Sequence, residues 1–155
     1  AGVKAGITNA TADYVLTNHA DLQFNPNTFI KTNLDSLNAG IVAVFPQRRS
    51  RRLLNRIMTA ILRLLISVIV RSQVPDFNGQ PKILLRERIP VSTQLPDDYT
   101  IDFWLYFYLG KGSLQLATEE QPRRRGSSSW AGSVSLHLRI FLSYIKAALE
   151  ARKRL

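Results

Sequence analysis

The chain has 155 residues, with 21 lysines and arginines against 11 acidic residues, and it contains no cysteine. The lack of cysteine excludes a disulfide framework, a thiolate zinc site and thiol catalysis, and two histidines are too few for a histidine-rich metal site. Because 45% of the residues are hydrophobic, the chain can bury a core, and we expect a single folded domain over residues 1–155.

The first part of the chain predicts an irregular polar N-terminal segment that contains a short strand, then a helix and a second strand. Residues 1–24 are expected to be irregular, apart from a short strand at 14–16. Asn25 followed by Pro26 is typical of a helix start, and helical spacing of apolar residues continues until Gly40. The β-rich run 41–45 predicts a short buried strand.

Residues 50–71 form the longest periodic segment and predict an amphipathic helix. At 100° per residue, one sector of roughly 120° collects polar and basic side chains, namely Arg48, Arg49, Arg52, Asn55, Arg56, Thr59 and Arg63. The opposite side is apolar and is expected to pack on a sheet, through Leu54, Ile57, Met58, Ile61, Leu65 and Val68. Val70 falls on the polar sector, so the pattern weakens at its end. The apolar stretch 57–70 is interrupted by Arg63 and is shorter than the about 20 residues of a transmembrane helix.

The rest of the chain is interpreted mainly as β-structure. Alternation predicts strands over 82–89 and 99–109, and Gly110-Lys111-Gly112 predicts a hairpin into a strand at 113–118. We expect a flexible Arg/Ser-rich loop over 119–133, a strand over 134–140 and a final helix capped by Ser143. The predicted fold is α+β, with a mainly antiparallel sheet covered by the long basic amphipathic helix and with a C-terminal helix.

The positive charge is concentrated in two segments. Residues 48–72 carry a net charge of +7 and residues 123–155 another +7, and arginine outnumbers lysine 15 to 6. Because guanidinium groups suit phosphate, this layout predicts a polyanionic partner, although a solubilising surface is the simpler alternative. The predicted phosphate contacts are Arg48, Arg49, Arg51, Arg52, Arg56, Arg63, Arg123, Arg124 and Arg125, with Trp130 available for base stacking or for anchoring the next strand.

Three interpretations of the basic helix remain open. It could dock on nucleic-acid phosphates, lie on an anionic membrane surface, or be an ordinary surface helix. Since the predicted sheet needs a cover, and one apolar face cannot serve both core and lipid, we favour packing on the sheet with arginine–phosphate contacts outside.

The strand predicted at 99–109 would place three aromatic residues in a row on one face of the sheet. Trp104, Tyr106 and Tyr108 would share one face, and Arg86 and Arg88 of the strand predicted at 82–89 could join them as a stacking platform for single strands. Aromatic side chains with polar tips are also typical of subunit interfaces. We favour the interface, and therefore a homo-oligomer.

Enzyme signatures are not found in the sequence. There is no glycine-rich phosphate loop and no nucleophile elbow. Loop solvation explains Asp97 and Asp98, and Asp102 is expected to pair with Arg86 or Arg88 across the sheet.

The sequence therefore predicts a non-enzymatic nucleic-acid-binding structural protein of the viral coat or nucleocapsid type, with RNA or DNA left open and no cofactor or metal. Peripheral membrane binding through the helix over 50–71 is the alternative. The sequence leaves the location open, with a virion or intracellular one favoured, and no signal peptide or transmembrane span is seen.

Overall fold

The computed structural model describes residues 2–19, 24–48, 53–90, 92–118 and 134–155. Over these residues the chain forms five α-helices, which are α1 (Gly2–Asn9), α2 (Pro26–Asn38), α3 (Leu53–Val70), α4 (Ile101–Leu109) and α5 (Val134–Arg152). It also forms four strands, which are β1 (Tyr14–Thr17), β2 (Ala43–Arg48), β3 (Lys82–Leu85) and β4 (Leu114–Thr118). Two short 3₁₀ turns, Arg86–Arg88 and Ser92–Gln94, lie between β3 and α4. The α+β class and the C-terminal helix are confirmed.

The four strands form one mixed sheet in the order β1-β3-β2-β4. β3 runs antiparallel to both β1 and β2, with Leu84 opposite Val15 on one side and Ala43 on the other. β4 runs parallel to β2, with Val44 opposite Leu114. Because β2 and β4 are parallel, the sheet is mixed, and the mainly antiparallel sheet that the sequence predicts is not confirmed.

Local sequence signals account for the elements of the first half. The Oδ1 atom of Asn25 accepts hydrogen bonds from the backbone N–H groups of Asn27 and Thr28, at 3.0 and 3.3 Å, so it caps the helix that Pro26 begins. Gly40 has a φ of +75°, a left-handed conformation that glycine adopts without strain. The strands predicted at 14–16 and 41–45 are present as β1 and β2.

Two predicted strands are helices in the structure. The segment predicted as a strand at 99–109 contains α4, in which every residue except Asp102 is aliphatic or aromatic, so alternation alone does not distinguish strand from helix. The glycine turn after it therefore leads from a helix into β4, and the predicted hairpin is wrong. The strand predicted at 134–140 is the first part of α5. Ser143 lies inside that helix, where its hydroxyl donates to the carbonyl oxygen of Arg139.

Two further boundaries differ from prediction. Residues 2–9 of the N-terminal segment expected to be irregular form α1, which buries Ile7 in the core. Lys4 fixes this helix, because its Nζ atom lies 3.0 Å from the carbonyl oxygen of Leu95 and 3.1 Å from Oδ2 of Asp97. The strand predicted at 82–89 is limited to β3.

α3 is rotated about its axis relative to the prediction, so that the side expected to be buried faces solvent. Between Leu53 and Val70 the helix holds only two arginines, Arg56 and Arg63. Its buried side is formed by Ile66 and Val70, with Leu62 and Ile69 packed against the core. The side predicted to cover the sheet is exposed at Ile57, Met58, Ile61, Leu65 and Val68. The predicted long basic helix is therefore not confirmed.

Candidate functional site

The predicted arginine contacts divide into several groups. Arg48 ends β2, whereas Arg49, Arg51 and Arg52 lie outside the described residues, as do Arg123, Arg124, Arg125 and Trp130. Arg56 is exposed on α3. Arg63 is partly buried, and its Nε atom donates to the carbonyl oxygen of Val74 at 3.0 Å, so this guanidinium also holds the chain that follows α3.

A row of cations lies along the exposed side of α5 and was missed by the sequence prediction. Arg139 and Lys146 are exposed on the helix, and Lys153 is exposed in the turn directly after it. Within α5, the seven-residue spacing of Arg139 and Lys146 rotates their side chains by only about 20° and separates them by about 10.5 Å. Within the described ranges none of the three forms an ion pair. We call these three residues the α5 cation row.

The signal for this row was present in the sequence but was hidden by the strand predicted at 134–140. As a strand, that segment places Arg139 on a separate element from Lys146. As a helix, Ile140, Tyr144, Ala147 and Ala151 form the buried side of α5, and the 4-3-4 spacing of these residues sets the cation row on the solvent side.

The aromatic residues predicted as an interface contact other parts of the same chain. Tyr106 makes an edge-to-face contact with Phe45 of β2, with ring centroids 5.5 Å apart. Trp104 is buried and stacks on Tyr108, with ring centroids 5.8 Å apart. The Cζ atom of Arg154 lies 4.5 Å from the centroid of Trp104, and its Nη1 donates to the Tyr108 hydroxyl at 2.7 Å. Cation–π and aromatic stacking thus occupy these rings inside the subunit. A role in an oligomer interface stays a prediction.

The stacking platform expected on the sheet is wrong, because its members lie on different elements. The aromatic residues belong to α4, and Arg86 and Arg88 lie in the 3₁₀ turn after β3. Arg86 donates through Nε to the carbonyl oxygen of Ala12 at 2.8 Å, and Arg88 lies 3.8 Å from Oε1 of Glu87.

A buried ion pair joins the sheet to α4. Lys82 on β3 has a fully buried side chain, and its Nζ lies 2.8 Å from Oδ1 of Asp102. When the Gln80 amide is placed with its oxygen toward Lys82, that oxygen accepts from Nζ at 2.7 Å and the amide nitrogen donates to the carbonyl oxygen of Thr17 at 2.9 Å. Asp102 therefore pairs with Lys82 and not with the arginines that the sequence suggested. Because the ammonium is enclosed and cannot reach a substrate, we assign the pair to stability.

A small open cavity of about 260 Å³ lies between α3, the chain that follows it, α4 and β4. Its lining includes the guanidinium of Arg63 and the hydroxyl of Tyr106, and the latter donates to the carbonyl oxygen of Gln73 at 3.2 Å. Sites for small molecules commonly measure about 300–1,000 Å³ and enclose most of the ligand. The size and openness of this cavity do not indicate such a site.

Burial raises the pKa of Tyr106, and the positive charge of Arg63 opposes that rise. The unfolded chain ionises this tyrosine near pH 10, so the unfolded state is favoured as the pH rises from there toward the folded pKa. We expect the wild-type protein to lose stability relative to Tyr106→Phe above about pH 10. Urea unfolding of both proteins from pH 8 to 11 measures this, and a constant difference would contradict it.

The described residues include no group of three His, Asp or Glu that could hold a metal ion. Across the same part of the chain, none of the helices combines the length and apolar character needed to cross a membrane. No protein-family model matches the sequence, and no match was found among the curated proteins.

Proposed function

We propose that the protein is a non-enzymatic structural subunit that binds nucleic acid through phosphates, without reading the base sequence. The observation that carries the proposal is the α5 cation row, because Arg139 and Lys146 on one side of α5 and Lys153 in the turn after it are exposed and form no ion pair among the described residues, against one exposed acid, Glu150, on that side. In a chain with a net charge of +10, these side chains are available to a polyanion.

The physical basis is the release of counterions. Each phosphate neutralised by a lysine or arginine sets free part of the condensed cation layer, which gives affinity that depends on salt and tolerates any base sequence. The basic residues 123–125 precede α5 in the chain, and they would add further phosphate contacts. Arg154 contributes less, because it is held on Trp104 and Tyr108.

Fluorescence anisotropy with a labelled single-stranded oligonucleotide tests this function. We expect binding of RNA and DNA at about 50 mM salt, with affinity falling by one or more orders of magnitude by about 200 mM. Similar affinity for mixed-sequence oligonucleotides is expected, since the contacts are to phosphates. Absence of binding at low salt, or affinity that salt does not change, would overturn the proposal.

An anionic membrane surface is the second candidate, and one observation favours it. The solvent-exposed side of α3 is apolar, with Leu64 and Val68 among its most exposed side chains, and such a surface can enter the interface of a bilayer. Because the opposite side of α3 supplies the core, the same helix can serve both. Co-sedimentation with vesicles of anionic and of zwitterionic lipid separates this candidate from nucleic-acid binding, since only membrane binding would be lost on Leu64→Glu.

A further inference from the structure

The outward side of α3 is an apolar surface that nothing in the described part of the chain covers. It consists of seven large side chains whose exposed fraction ranges from 40% to 70%, and they are Leu53, Ile57, Met58, Ile61, Leu64, Leu65 and Val68. We call this set the α3 outer face. It lies on the side of the helix opposite Ile66 and Val70, which enter the core. Exposed apolar patches on monomeric proteins seldom exceed a few hundred Å².

We propose that the α3 outer face is a self-association surface that packs on the same face of a second copy of this chain. The first argument is area. Seven such side chains expose on the order of 700 Å², close to the about 800 Å² that each partner contributes to a standard interface. A two-fold axis would bring the same patch of both copies together, as in most homodimers.

The second argument is spacing. Ile57, Ile61, Leu64 and Val68 follow one another at intervals of 4, 3 and 4 residues, which is the spacing of a helix–helix seam with knobs-into-holes packing. Met58 and Leu65 lie seven residues apart and flank this seam on one side. The side chains are therefore arranged as a second helix of the same kind would require, at a crossing angle of about 20°.

The chemistry of the α3 outer face favours a protein partner over the other occupants. All seven side chains are aliphatic or methionine, and Arg56 is the one cation at the edge of the face among the described residues of α3. Surfaces that enter anionic membranes usually combine aromatic residues with several cations. Phosphates need cations within the face itself. Within the chain, residues 119–133 are mostly polar and hold Trp130 as their only large apolar residue.

Net charge gives the proposal a distinctive salt dependence. Two copies carry +10 each, so they repel one another, and added salt screens that repulsion. Self-association should thus strengthen as salt rises, whereas nucleic-acid binding weakens. The proposal does not depend on the proposed function, because the two respond to salt in opposite directions and use different helices.

Analytical ultracentrifugation at several micromolar concentrations, in about 0.15 M and 0.5 M NaCl, tests the proposal. We expect a monomer–dimer equilibrium for the wild-type chain, tighter at the higher salt. Leu64→Glu and, separately, Val68→Glu should raise the dissociation constant by about tenfold or more, because each places a charge in the centre of the interface. Leu34→Glu is the matched control, since Leu34 is an exposed leucine on α2 and the equilibrium should not change. Thermal unfolding followed by circular dichroism verifies that each variant is folded.

Three results would overturn the proposal. The first is a wild-type protein that stays monomeric across the whole concentration range in both salts. The second is an equal effect of Leu34→Glu and of the two α3 variants. The third is a monomer that binds anionic vesicles through the same leucine and valine, which would assign the α3 outer face to lipid.

Discussion

Replacing Asp102 by alanine should lower the free energy of unfolding by about 3 kcal/mol, because it removes the carboxylate that pairs with the enclosed ammonium of Lys82. The Lys82 side chain is fully buried, and its Nζ lies 2.8 Å from the carboxylate that the substitution removes. Urea unfolding followed by circular dichroism measures the change in stability.

The double variant Lys82→Met/Asp102→Leu is the control for this interpretation. It removes both charges and keeps apolar volume, so it should recover most of the stability that Asp102→Ala removes. If Asp102→Ala changed stability by less than about 0.5 kcal/mol, as an ordinary surface substitution does, the pair would not be what joins β3 to α4.

The second large effect is expected at Phe77, which lies where three parts of the core meet. Its side chain is 1% exposed and makes edge-to-face contacts with Phe103 on α4 and Tyr144 on α5, with ring centroids 5.6 and 5.3 Å apart. Phe77→Ala removes both ring partners and leaves a cavity. It should therefore cost about 3–5 kcal/mol of stability, measured by thermal or urea unfolding.

Phe107→Ala is the matched control, since it removes the same atoms from a ring on α4 that is only partly buried. A smaller destabilisation is expected there, because solvent already reaches the site and less apolar surface returns to water. Equal destabilisation by the two variants would contradict the central position of Phe77 in the core.

Elements whose signals are local could be predicted from the sequence. The start and end of α2 follow from Asn25, Pro26 and Gly40, and each of these residues acts through its own backbone or its nearest neighbours. The short strands β1 and β2 follow in the same way from β-rich runs next to turn residues.

Elements that depend on tertiary packing could not be predicted in this way. In α4 every residue except Asp102 is aliphatic or aromatic, so its sequence fits strand and helix periods alike. α5 packs on the core through Ala147, Ala148 and Ala151, and alanine gives a weak hydrophobic signal. α3 carries apolar residues on two opposite sides. Which of these two sides is buried depends on the surfaces that the other helices and strands present to it. Within the helix, the position of Val70 on the sector predicted to be polar indicated that this sector is the buried side.

The sequence identified the basic segments of the chain but not the α5 cation row. Charge counting located the basic segments, since net charge does not depend on conformation. It could not identify the α5 cation row, because that row requires residues 134–140 to be helical. Nor could it pair Asp102 with Lys82, since Arg86 and Arg88 are equally suitable cations by sequence alone.

The most direct test of phosphate binding by the α5 cation row compares salt dependence in the wild-type protein and two variants of matched design. Arg139→Gln/Lys146→Gln/Lys153→Gln removes the row, whereas Lys31→Gln/Arg88→Gln/Lys111→Gln removes three exposed cations elsewhere and gives the same net charge. The slope of log affinity against log salt for a single-stranded oligonucleotide should decrease in magnitude by about 2 in the first variant, since each phosphate that a cation neutralises on a single strand adds about 0.7 to the slope. The second variant should keep nearly the wild-type slope. Equal slopes in the two variants would contradict phosphate binding by the α5 cation row.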